Sequence, residues 1–205
     1  MIELLSTFLV AFAFSFIGTI PPGTLNLTAI QLGLNRKINA AWRLAAAAAM
    51  IEYPYAWVAV FFQNYLSRSL EFTRNFHLIS AFVMIALGVT TLWFSRRQSG
   101  IARRFEDSGF RKGLVLALLN PLAIPFWLAM TAYLRSHGWI TLMNPPELHA
   151  YLLGISSGTF VLLILVAYLS HRGVGYFKEN SAIKKIPGIV LIILGLYSFA
   201  RYMFE

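Results

Sequence analysis

The 205-residue chain has no cysteine, which excludes disulfides, thiolate metal sites and cysteine nucleophiles. Charge is scarce too: Asp, Glu, Lys and Arg together make up 12% of the residues, and only 8 side chains are acidic. Four histidines, His77, His137, His149 and His171, fall at the ends of apolar runs or between them and never at metal-ligand spacing, so no metal site is expected. Walker A, H-E-x-x-H and dinucleotide fingerprints are absent, so neither a cofactor nor ATP-driven work by this chain alone is expected.

What fills the chain is apolar. Hydrophobic residues reach 58% and mean hydropathy is +0.66, a balance that makes the lipid bilayer its natural solvent. Uncharged runs at 4–35, 75–95, 113–134 and 148–171 are each long enough to span. Two further spans are expected at 44–67, which carries Glu52, and at 186–200, which extends past Arg201 with that side chain reaching to the interface. The rival reading of the N-terminus is a cleavable signal peptide. Met1-Ile2-Glu3 lacks a basic segment and no small-x-small site closes a short apolar core, so a retained span is expected.

A formal charge of +9 would suggest nucleic acid on a soluble surface, but here the membrane divides it and no nucleic-acid partner is expected. The first, third and fifth connections hold 13 of the 17 basic residues, including the 96–112 stretch with Arg96, Arg97, Arg103, Arg104, Arg111 and Lys112. Arg68, Arg74, Arg135 and Arg201 lie on the other side. Basic loops stay in the cytoplasm, which places both termini outside and agrees with six spans. Topology alone explains the basic 96–112 connection; binding of anionic lipid or a partner is the alternative.

Two spans contain breaks. Pro21-Pro22-Gly23 interrupts the first run, which at 32 residues is too long for one straight crossing, and should free the carbonyls of Ile17 and Gly18. Asn120-Pro121-Leu122-Ala123-Ile124-Pro125 interrupts the fourth and should free those of Ala117 and Pro121. Three spans separate the breaks, so the second half, 113–205, would be an inverted copy of the first, 1–95, joined by 96–112 in a single membrane domain. Irregular backbone cannot face lipid and must be buried or line a wet cavity. A half-helix opening at Gly23-Thr24-Leu25 would aim N–H groups at an anion while freed carbonyls would suit an ammonium, and a zwitterionic amino acid offers both. A structural proline kink is the plainer alternative.

Glu52 is the one acid deep in a span, where an ionised group costs on the order of 3 kcal/mol or more. It is the candidate proton carrier or cation partner, with Tyr53, Pro54 and Tyr55 around it; a carboxyl group bonded to a neighbouring helix for assembly is the alternative reading. Gly154-Ile155-Ser156-Ser157-Gly158 matches the nucleophile-elbow pattern of hydrolases but lies in an apolar helix, where glycines at i and i+4 serve close packing. No enzyme is expected. Trp42, Trp93, Trp139, Tyr133 and Tyr202 fall near span ends, as an interfacial belt requires.

Gly18-Thr19-Ile20-Pro21-Pro22-Gly23, Asn120-Pro121-Leu122-Ala123 and an acid at Glu52 after a run of small residues together resemble the LysE-type amino-acid exporter family (LysE/RhtB), over nearly the whole chain in length, span pattern and loop charge. The match departs at Thr24 and Leu122, where that family carries proline and lysine. The resemblance implies proton-driven export of an amino acid across a bacterial inner membrane and allows a homodimer. The expectation is thus an all-α integral membrane protein of six transmembrane helices, a 3+3 inverted repeat with helices 1 and 4 broken. The expected function is secondary active transport of an amino acid or similar small zwitterion. The substrate-binding residues expected are Pro21, Pro22, Gly23, Thr24, Asn26, Asn120, Pro121 and Pro125, with Glu52 for the proton or cation. The alternatives are a non-transporting membrane scaffold or assembly factor, and a transporter of another small solute or cation.

Overall fold

A computed structural model of the chain describes residues 2–20, 23–66, 109–120 and 123–173, together with single helical positions between 82 and 89 and between 189 and 203. Six helices are described: α1 (Ile2–Thr19), α2 (Thr24–Leu34), α3 (Ile38–Leu66), α4 (Gly109–Leu118), α5 (Ala123–Ser136) and α6 (Pro145–His171). Three of them, α1, α3 and α6, are long and apolar enough to cross a membrane. Helices α4 and α5 together are long and apolar enough for a fourth, with a bend of 66° between them. The expected third and sixth spans fall outside the described residues apart from the single helical positions.

Local chemistry sets the helix ends. Asn144 caps α6 by accepting the N–H of Glu147 at 3.0 Å, Pro145 and Pro146 occupy the first helical positions, and the Glu147 carboxylate returns to Met143 N–H at 2.8 Å and Asn144 Nδ2 at 2.8 Å. That reciprocal arrangement satisfies donors that a helix start leaves open. Helix α5 ends in a Schellman turn, with Gly138 at φ 69° and the Trp139 N–H bonded to Leu134 O at 2.9 Å. Helix α2 ends in the same turn built on a less suitable residue: Lys37 N–H bonds Leu32 O at 2.8 Å while Arg36 takes φ 59°. Helix α4 begins at Gly109, inside the stretch expected to be the basic connection.

Helices α3 and α6 lie against each other in the middle. Helix α1 makes its most extensive contact with α6, where α2 also packs, and α4 and α5 both pack on α3. Glycine makes the closest approaches. A Cβ on Gly154 or Gly158 would stand 2.5 Å from the carbonyl oxygens of Phe8 and Phe12, and one on Gly113 would stand 2.6 Å from that of Leu44. Gly154 and Gly158 therefore serve packing in α6, as their spacing in the sequence indicated, and the alanine run of α3 supplies the surface under α4: Ala41, Ala45, Ala47 and Ala48 are buried. Beside Gly158, Ser15 Oγ donates to Ile155 O at 2.6 Å and lies 3.0 Å from Thr159 Oγ1, a polar tie across the α1–α6 crossing.

Candidate functional site

Glu52 sits at the midpoint of α3, half-buried, and accepts a hydrogen bond from Trp127 Nε1 at 2.6 Å. Trp127 belongs to the first turns of α5, just past the second break, and is only 2% exposed. A buried indole needs an acceptor for its N–H, and the carboxylate in the middle of the neighbouring helix supplies it. Trp127 is the one hydrogen-bond partner of Glu52 among the described residues.

The next ring along α5 reaches the other break. Phe126 stands edge-on to Trp127 with centroids 4.9 Å apart, and its Cζ lies 2.5 Å from where a Cβ on Gly18 would be. Gly18 lies in the last turn of α1 before the first break, and the absence of a side chain there lets the ring approach the helix backbone. The two interruptions and the membrane-depth acid are thus joined through two adjacent aromatic side chains of α5.

At each break one of the carbonyls expected to be freed is bonded instead. The Ile17 carbonyl keeps a partner, Ile20 N–H at 3.1 Å, and Ala117 O accepts from Asn120 N–H at 3.1 Å, because each helix tightens its last turn before it stops. The carbonyls held by side chains are Thr19 O, taken by Asn26 Nδ2 at 2.5 Å, and Leu118 O, taken by the Tyr55 hydroxyl at 2.8 Å. Tyr55 thereby ties α3 to the second break three residues from Glu52, while Tyr53 shares a 2.5 Å hydrogen bond with His149 Nδ1 of α6.

The expected site residues are distributed as follows. Gly23 caps α2 in extended backbone with no side-chain hydrogen bond to the first turn, and Thr24 begins the helix. Asn26 is buried and Asn120 half-buried beside its break. Pro125 is the third residue of α5, in the first turn, where its missing N–H costs the helix nothing. Pro21, Pro22 and Pro121 lie outside the described residues. Trp127, Phe126 and the Ser15–Thr159 pair were not singled out from the sequence. Trp127 left a signal there: a tryptophan well inside a span and a few residues past a break must find an acceptor, and the chain has one deep acid to offer.

Above this group the 137–144 connection folds back into the bundle. Ile140 and Leu142 are 3% and 9% exposed and share one core cluster with Trp127, Ala56, Ala59 and Ala11, while Trp139 packs on Phe14 of α1 with centroids 5.4 Å apart. Glu147 holds the connection down by accepting from Thr141 Oγ1 at 2.9 Å as well as from Met143 N–H.

Compared with known families, residues 16–201 match the model of the LysE type translocator. The chain belongs to that family. No curated protein and no solved structure matches it. As a LysE type translocator it is a multi-pass membrane protein that moves small solutes and not an enzyme, which decides against the scaffold alternative. The last turn before the first break, the first turns after the second and the half-buried Glu52 meet in one place, and no group of His, Asp or Glu among the described residues could hold a metal.

Proposed function

We propose that this translocator exports an amino acid or similar small zwitterion in exchange for protons, with Glu52 carrying either the proton or the substrate ammonium. The observation that carries the reading is the contact chain Gly18, Phe126, Trp127, Glu52, which couples both helix breaks to the only acid at membrane depth. One carboxylate oxygen is fixed by the indole N–H. The other takes a proton or an ammonium but not both, since two cations on one carboxylate in low dielectric repel. A proton arriving from outside releases the substrate outward, and a substrate arriving from inside displaces the proton inward. The uncapped first turn of α2 at Gly23-Thr24 offers N–H groups to the substrate carboxylate, with Asn26 and Asn120 beside the breaks.

The 3+3 inverted repeat is part of the same proposal. Exchanging the two halves exchanges α1 and α2 with α4 and α5, and α3 with α6. The packing respects that exchange: each broken pair lies on the long helix of the other half, and the two long helices lie on each other. The proposal includes a bacterial inner membrane with both termini outside, an orientation that the basic odd-numbered connections support. Glu52→Gln should abolish proton-coupled efflux from proteoliposomes while the protein stays folded and inserted. Full efflux from that variant refutes the assignment.

A further inference from the structure

The last turn of α5 carries Arg135, and its surroundings are unusual for a cation at a span end. Nη1 donates to Gln63 Oε1 and to Asn64 Oδ1, the latter at 2.5 Å, both on α3. These are neutral acceptors. They fix the guanidinium plane without supplying a counter-charge, and no carboxylate bonds Arg135 among the described residues. Both Nη1 hydrogens are used. The Nε and Nη2 hydrogens, which form the edge that matches a carboxylate through two parallel bonds, have no partner among the described residues. Ordering an arginine side chain costs rotamer entropy, and two consecutive amides hold this one in place.

The position matters as much as the geometry. Trp127–Glu52 and Arg135–Gln63/Asn64 lie on the same α3–α5 seam, eight residues apart on α5, which is about 12 Å at the rise of an α-helix. Arg135 is at the end of the seam away from the basic loops, next to the 137–144 connection.

We propose that Arg135 is an oxyanion-binding station that takes the carboxylate of the solute at the outer mouth of the seam. Its place on the route rests on the reading of Glu52 as the inner station. The charge pattern along the seam, an acid at mid-depth and an oriented guanidinium at the exit, fits a solute carrying both an ammonium and a carboxylate.

The test is counterflow in phosphatidylcholine proteoliposomes, using whichever of the twenty amino acids exchanges fastest and its primary amide, which keeps the ammonium and lacks the carboxylate charge. Arg135→Gln is expected to raise the external half-saturation for the acid about 10-fold to 100-fold while leaving that for the amide, and the internal value for both, unchanged. Arg135→Lys, which keeps the charge and loses the fork, should fall between. The ratio of acid to amide does not depend on how much protein folds, so poor expression does not blur the result. Equal effects on acid and amide overturn the station. So does an effect seen only when phosphatidylglycerol is added, which identifies a lipid phosphate as the oxyanion. Glu52→Gln in the same vesicles should lose exchange of both compounds; if it does not, the inner station fails by itself. Exchange of no amino acid at all refutes both.

Discussion

At the scale of single residues, the chain spends its few polar groups on backbone and on one another. Glu52 was legible from the sequence because a lone acid in an apolar run stands out, and its depth gives the reason to expect chemistry there. Its partner was not legible: an indole N–H meets a carboxylate across two helices separated by 75 positions, and no local pattern encodes that. Arg135 is a similar case. In the sequence it is one of four basic residues on the outer side, and only the two amides of α3 reveal it as an oriented group. Arg36 makes a prediction about stability rather than transport. It occupies the left-handed position of the turn after α2 at φ 59°, exposed, where a residue with a Cβ is strained by about 1 kcal/mol. Arg36→Gly should therefore stabilise the purified protein by roughly that amount, seen as a higher melting temperature with unchanged transport; a lower one would mean that the arginine charge outweighs the strain.

At the scale of elements, the breaks were visible in the sequence because proline and glycine leave no helical alternative. The identity of the satisfied carbonyls was not, since 3₁₀ tightening and a tyrosine from another helix decide it. The burial of Ile140 and Leu142 was equally hidden: nothing in a short connection between two spans says whether its apolar residues meet lipid, water or the bundle, and here they join the core beside Trp127. The glycine spacing in α6, in contrast, was read correctly, and the structure adds its partner. Gly158 faces the backbone of α1, so Gly158→Ala places a methyl group where a carbonyl oxygen stands at 2.5 Å. Backbone yields less readily than a flexible side chain, and an overpacking cost of about 1–3 kcal/mol is expected. Thermal unfolding in detergent should show a clear loss for Gly158→Ala and a larger one for Gly158→Val. An unchanged melting temperature would mean that α1 and α6 do not cross this closely.

At the scale of the whole molecule, transport requires that some contacts open while others hold, and the packing indicates which. Rocking the first sequence half against the second would pull α1 and α2 off α6 and α4 off α3, the crossings where glycine brings backbone against backbone, the first of them also tied by Ser15 to Ile155 and Thr159. Interfaces packed that closely are bistable only at considerable cost. The α3–α5 seam, held by Glu52, Trp127 and Arg135 through side chains, can open without breaking a glycine crossing, and so can the α3–α6 contact. Opening along those contacts would move α1 and α2 with α6 and α3 with α4, each body drawn from both halves. Because the chain has no cysteine, a disulfide can test this without background. The hydroxyls of Ser15 and Thr159 are 3.0 Å apart, within reach of a bridge after small adjustment, so Ser15→Cys combined with Thr159→Cys should cross-link on oxidation. If α1 and α6 travel together, the oxidised protein keeps its counterflow. Loss of counterflow that a reductant restores would show instead that this crossing opens in every cycle.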